Sequence, residues 1–192
     1  MPAHRTASTG WRWAWPGIAS GEELWCQGFS EPDAGSDLAG LRTTAVRDGD
    51  HFVVNGQKVW TSLGIYADWM FALVRTNTES KHRGISYLMI PMSSPGIDVR
   101  PIRQLHGEPG FAEVFLSDVE VSVANAVGDV DDGWRVARAT LGFERALALG
   151  NHVRYSLEAG ELVDLATRLH LADDPQVRDR VARVFAQTEV FR

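Results

Sequence analysis

The stretch Asp48-Gly49-Asp50-His51-Phe52-Val53-Val54-Asn55-Gly56-Gln57-Lys58-Val59-Trp60-Thr61-Ser62 reads as extended chain cut by tight turns. Asp48-Gly49-Asp50 separates Leu41–Arg47 from His51–Val54, which is the residue chemistry of a β-hairpin. Asn55-Gly56 predicts a second tight turn, between His51–Val54 and Gln57–Thr61. Trp69–Thr76 and Gly84–Pro91 are apolar runs of the length of buried strands, and Ser94-Pro95-Gly96 breaks the chain again. Phe111–Val121 alternates only loosely, with Phe111, Val114 and Leu116 apolar. Short strands with a turn about every ten residues predict a barrel or sandwich over residues 21–127 rather than a parallel α/β sheet.

Further along, the period changes from strand to helix. Asp131-Asp132-Gly133 supplies a helix start with negative charge at the positive end of the helix dipole. Trp134, Ala137, Leu141, Glu144 and Ala148 follow at helical spacing, and Val136, Thr140, Phe143 and Leu147 make a second apolar row. A helix apolar on two faces is expected to be buried. Glu161–His170 continues in helical phase, Asp173-Asp174-Pro175 caps a last helix, and Gln176–Phe191 runs on with a Val177, Val181, Val184 stripe that is expected to lie uncovered within the chain. The predicted class is therefore α+β: a barrel or sandwich over 21–127, then helices over 131–192.

Composition bounds what such a chain does. The 192 residues carry 19 basic and 25 acidic side chains, a net charge of −6, which makes nucleic acid and anionic membrane poor partners. The length is that of one domain plus part of another, at roughly 150 residues per domain. Cys26 is the sole cysteine, so no internal disulfide forms and a reducing, cytoplasmic setting is expected. No apolar run approaches the roughly 18 residues of a membrane span. The six histidines are scattered without ligand spacing, so no metal site is expected. Dinucleotide-fold, phosphate-loop, zinc-protease and serine-hydrolase signatures are all absent from the sequence.

Three segments carry candidate chemistry. Phe29-Ser30-Glu31-Pro32-Asp33-Ala34-Gly35-Ser36-Asp37 is dense in turn formers and hydroxyls. Gly35 permits close backbone approach to a ligand, and Ser36 offers a hydroxyl and an N–H to an anionic oxygen. On residue types alone a capped surface turn is the simpler reading. In Asn55–Ser62, Trp60 followed by two hydroxyls makes a flat aromatic wall beside polar donors, as heteroaromatic ligands need. A core tryptophan with hydroxyls facing solvent fits the same residues. In Leu141-Gly142-Phe143-Glu144-Arg145, Glu144 falls on an otherwise apolar row. A carboxylate there is costly unless paired with Arg145, Arg138 or another cation, or used as a base whose affinity for a proton burial has raised.

In order and spacing these segments resemble the acyl-CoA dehydrogenase family, from about Ser20 to Arg145. The resemblance rests on Ser-Glu-Pro-x-Ala-Gly-Ser-Asp at Ser30–Asp37, on Asn-Gly-x-Lys-x-Trp at Asn55–Trp60, and on Gly128 with Asp132-Gly133-Trp134 opening a long helix. It implies an antiparallel middle β-barrel domain over 21–127 followed by an incomplete C-terminal helical bundle over 128–192, the family's N-terminal helical domain being missing and 1–20 an atypical segment whose first 18 residues depart from the family as if supplied by an alternative start. It also implies bound FAD, with Phe29 and Ser30 at its pyrimidine side, Gly35 and Ser36 at phosphate or the CoA arm, Trp60 packed on the ring system and Ser62 beside the reactive nitrogen. The family usually has threonine at the positions of Ser30 and, often, Ser62; the hydroxyl is kept in both.

The implied reaction is α,β-dehydrogenation of an acyl-CoA, with electrons passed to an electron-transfer flavoprotein. Glu144 of the Glu-Arg pair would be the base and Arg145 would lie at the substrate. An Arg-x-x-Phe-Gly element common in the family is absent downstream, where Ala166–His170 and Asp173-Asp174-Pro175 stand instead. This departure is similar to bacterial members acting on large or steroid-like acyl chains, some built of unlike subunits, so a homo- or hetero-oligomer through the helical bundle is implied. An acyl-CoA oxidase or flavin monooxygenase on the same fold, and a non-catalytic fragment or partner subunit, are the alternatives.

Overall fold

A computed structural model describes residues 14–190. The chain divides into two compact units, the first ending at Arg138 and the second beginning at Ala139.

In the first unit, a short helix α1 (Trp15–Ser20) starts on Pro16 and stops at Gly21, whose φ of 73° is the left-handed end a helix favours. Trp11 and Trp13, part of the tryptophan-rich start, lie outside the described residues. Seven strands follow: β1 (Trp25–Gly28), β2 (Thr44–Asp48), β3 (His51–Ser62), β4 (Trp69–Arg75), β5 (Ile85–Pro91), β6 (Ile97–Ile102) and β7 (Phe111–Ser122). They form one sheet in the order β1-β4-β2-β3-β7-β6, with β5 on the other side of β4, curled as a half-barrel.

Most pairings are antiparallel as expected, but β1 and β2 join β4 in parallel. After β1 the chain makes the signature loop and the β2–β3 hairpin before it returns as β4, and a long crossover of that kind permits parallel neighbours. The Gly49-Asp50 hairpin is present, with Asp48 opposite His51. β6 was not expected from the sequence, although Ile97-Asp98-Val99-Arg100 alternates apolar and polar, because Pro101 argues against a strand; it lies on the edge, where a proline is tolerated.

Asn55-Gly56 does not turn. Residues 51–62 are one continuous strand, and the irregularity belongs to its partner, where Ser117 and Asp118 of β7 bulge opposite Asn55. The Asn55 amide stabilises this bulge by donating to Asp118 Oδ1 at 3.0 Å and accepting the Asp118 N–H at 2.9 Å. Gly56 is required because a Cβ there would lie 2.7 Å from the Thr43 Cα. The bulge also explains the loose alternation of β7: Ala112, Val114 and Leu116 are buried before it, Val119 and Val121 after it, on opposite parity.

The core of this unit gathers Phe52, Val54, Met70, Ala72, Val74, Leu88, Ile90, Val114, Val119 and Val121. Cys26 belongs to it, and burial pushes its thiol up to about 12, which keeps it protonated and unreactive. Helix α2 (Gly133–Leu149) begins on this unit: a Cβ at Gly133 would lie 2.7 Å from the Ser86 Cα and closer still to the Tyr87 nitrogen. Gly133→Ala should therefore cost about 1–3 kcal/mol through forced separation of α2 from β5. A lower urea midpoint with an unchanged m-value checks this; an unchanged midpoint would refute the close approach.

In the second unit, α3 (Asn151–Arg168) and α4 (Pro175–Val190) pack on one another. Asp174 caps α4 by accepting the Gln176 N–H at 2.8 Å and the Val177 N–H at 3.2 Å. The Val177, Val181, Val184 stripe is half-buried rather than uncovered, because α3 lies over it through Ala159, Leu162, Val163 and Ala166. No helix among the described residues is long and apolar enough to cross a membrane.

Candidate functional site

The site is built where β1 ends and β3 bulges. β1 delivers Phe29 and Ser30, and the Ser30 carbonyl accepts the Val59 N–H at 2.9 Å. That bond sets the first signature segment directly against the second. On β3, Lys58 pairs with Val114 but Thr61 pairs with Ala112, so Val59 and Trp60 together oppose Glu113. Such a bulge re-aims side chains. Strand parity from Phe52 and Val54 would put Trp60 inside; with φ at 59° it is instead 60% exposed. A left-handed conformation in a bulky residue costs about 1–3 kcal/mol and persists only where its surroundings impose it. Here the imposing neighbours are Lys58 and Thr61, both fully buried. The Phe111 ring meets the indole at 87°, with ring centroids 6.1 Å apart.

Ser62, two residues on, is exposed like Trp60. Among the described residues no partner holds the hydroxyls of Ser30, Ser62 or Ser36. An uncovered indole beside free hydroxyls fits a flat heteroaromatic ring with polar edges, such as a flavin. The Phe29 ring does not take part. It is 3% exposed and packs edge-on against Phe71 and Tyr87, which leaves only its main chain for a ligand.

The remaining signature residues follow a tight turn. Glu31 and Ala34 exchange both backbone hydrogen bonds at 3.0 Å around Pro32-Asp33. Gly35 and Ser36 emerge exposed beyond it, and space is open where a Gly35 Cβ would stand. Asp37 is tied to Lys81 at 2.8 Å.

Sequence reasoning missed the pair beneath this surface. Lys58 Nζ, fully buried, donates to Glu31 Oε1 at 2.7 Å, to the Leu73 carbonyl at 2.7 Å and to the Phe29 carbonyl at 3.3 Å. Glu31 also accepts the Arg42 N–H at 2.6 Å and the Thr43 N–H at 3.0 Å. Burial pushes the Glu31 carboxyl up, but the Lys58 charge and the hydrogen bonds from Lys58, Thr43 and Arg42 outweigh it and hold the carboxyl below its usual value. Burial pulls the Lys58 ammonium down, against the attraction of Glu31. The signal available in the sequence was parity: Lys58 occupies the same inward register as Phe52 and Val54.

Because the folded value of Glu31 lies below its unfolded one, its contribution to stability is present above the unfolded carboxylate value and is lost as pH falls through the folded one. Urea midpoints should therefore drop on acidification below about pH 5, and drop less steeply in Glu31→Gln. Equal slopes in the two proteins would contradict the assignment.

Glu144 and Arg145 belong to the second unit and to α2. Glu144 was expected to be buried on an apolar row; it is exposed, as are its neighbours Phe143 and Arg145. Phe143, 76% exposed, shows that this face of the helix has no cover from the described residues. No ion pair holds Glu144 among them, so the alternative of a salt bridge with Arg138 or Arg145 is not met either. Nor do the described residues bring three His, Cys, Asp or Glu together at a site fit for a metal.

Residues 26–119 match the family model for the acyl-CoA dehydrogenase middle domain. Acyl-CoA dehydrogenase IpdE1 of Mycobacterium tuberculosis is 49% identical over 179 residues, covering 92% of this chain and 46% of that protein. Among solved structures, the ChsE4-ChsE5 complex from M. tuberculosis superposes with a TM-score of 0.75 at 44% identity, covering 91% of this chain and 47% of that one. The Tcur3481-Tcur3483 steroid ACAD superposes at 0.77 with 36% identity, covering 91% and 46%. The chain thus spans about half the length of the relatives it matches. Ser30–Asp37 and Asn55–Trp60 both fall inside the matched span, and the chain belongs to the acyl-CoA dehydrogenase family.

Proposed function

We propose that this chain supplies the barrel side of an FAD-dependent acyl-CoA dehydrogenase site. The observation that carries this reading is the exposed Trp60, held out on a strained bulge next to Val59, whose N–H bonds the Ser30 carbonyl, while the hydroxyls of Ser30 and Ser62 have no partner among the described residues. When bound, FAD supplies the acceptor for the hydride that leaves the β-carbon of an acyl thioester. Trp60 provides the flat wall against the ring system. Ser62 would donate a hydrogen bond to the ring system, and Ser30 with the Phe29 main chain would hold its pyrimidine side. Gly35 lets the backbone approach, and Ser36 donates to a phosphate or to the CoA arm. In the second unit, Glu144 takes the α-proton and Arg145 binds the substrate. An α C–H is a weak acid, so that base must be desolvated and the developing enolate met by hydrogen-bond donors. The support for Glu144 is its position as the glutamate of a Glu-Arg pair on the first helix after the barrel.

The relatives described as a steroid ACAD and as a two-component complex favour a bulky acyl group as substrate and a hetero-oligomer joined through the helical bundle. Electrons would then leave to an electron-transfer flavoprotein, and the protein would work in the cytoplasm.

Titrating the purified chain with FAD tests the reading. The expected result is quenched flavin fluorescence, a shifted visible band and a saturable end-point; free FAD at every ratio would overturn it. Substrate oxidation that consumes oxygen with no added acceptor would instead indicate an oxidase.

A further inference from the structure

We propose that Glu31 and Lys58 are positioning residues, a buried clamp that sets the spacing between the Ser30 loop and the Trp60 bulge and so shapes the flavin wall; the proposal deepens the FAD reading and rests on it. The geometry is fully committed. The three N–H donors of Lys58 meet three acceptors, on Glu31, Phe29 and Leu73. The Glu31 carboxylate meets Lys58, Arg42 and Thr43. Four separate segments therefore converge on one buried charge pair: the end of β1, the strand β3, the strand β4 and the chain leading into β2.

Stability alone is a weak reason for such a pair. Removing two charges from water costs several kcal/mol per ion, and replacement of a buried pair by apolar groups of similar volume is often neutral or stabilising. What the pair supplies that an apolar filling does not is direction. Lys58 fixes the Phe29 carbonyl, next to Ser30, and its own backbone lies two residues before Trp60. The Ser30 carbonyl then closes on the Val59 N–H between them. Both site residues are thus within two positions of a clamp atom, and the left-handed backbone of Trp60 sits between two residues with no exposure.

The test uses the full 192-residue chain with its seven tryptophans labelled as 5-fluorotryptophan. The Trp60 fluorine signal is assigned by its loss in Trp60→Phe. Two variants are compared with the wild type: Glu31→Gln, which leaves Lys58 without its counter-charge, and Glu31→Gln with Lys58→Met, which removes both charges and keeps a foldable interior. The expected result in both is a displaced or split Trp60 signal with the remaining signals in place. FAD affinity should be roughly tenfold weaker, the lower end of what metal sites lose when hydrogen bonds that orient their ligands are removed, at a temperature where melting curves show the chain folded.

A pair that only stabilises the fold would move the melting temperature and leave the Trp60 signal where it was; that result overturns the proposal. A moved Trp60 signal with unchanged FAD affinity also overturns it. If the wild type takes up no FAD, the flavin reading falls separately, and the fluorine signal alone decides whether the pair positions Trp60.

Discussion

Trp60→Ala should lose at least tenfold in FAD affinity while the fold survives. Stacking of a flat heteroaromatic ring on an aromatic side chain is worth about 1–3 kcal/mol, and 1.4 kcal/mol is a factor of ten. The fold has little to lose: the indole is 60% exposed and meets one ring edge-on. Trp60→Gly sharpens the contrast. Glycine adopts a φ of 59° without the penalty tryptophan carries, so this variant should melt at the same temperature or higher, by up to about 1 kcal/mol in stability, and still lose the flavin. A residue that costs stability and is retained for binding behaves in this way. Equilibrium dialysis against FAD and thermal melting of the apoprotein check the two halves. Undiminished affinity in either variant would remove the aromatic wall from the site.

The same bulge shows where the sequence was legible and where it was not. The apolar runs that became β4 and β5 were plain, since both strands are buried along most of their length and need no alternation. The Gly49-Asp50 hairpin was plain because its glycine takes the positive φ, 61°, that the tight turn needs. Asn55-Gly56 carries identical turn chemistry but is spent on a tertiary contact, Asn55 across to Asp118 and Gly56 under Thr43, which no local rule sees. The parity of β7 failed at Asp118 and that of β3 at Trp60, each time at a bulge that only the partner strand reveals. At the site, the hydroxyls and the indole were visible by type. The buried pair beneath them was not, because it joins Lys58 to Glu31 across 27 positions of chain. The signature's glutamate looks like part of a surface turn until its carboxylate is found facing inward.

Glu144→Gln, made in a full-length protein carrying this segment, should slow the anaerobic bleaching of bound flavin by acyl-CoA about 10²–10⁴-fold, the range a positioned general base contributes. The carboxamide keeps the shape of the carboxylate but cannot accept the α-proton, so binding survives and chemistry does not. FAD content should be unchanged, which separates this variant from Trp60→Ala. Arg145→Gln should act differently, raising KM for the acyl-CoA more than it lowers kcat, as loss of a substrate contact does. The exposure of Glu144 sharpens the demand on what covers it. A solvated carboxylate is a poor base for an α C–H, and Phe143 beside it is 76% exposed, so the face that carries both requires a cover for the chemistry to run. Stopped-flow traces that show wild-type bleaching in Glu144→Gln would move the base to another residue and leave Glu144 as one carboxylate on a helix surface.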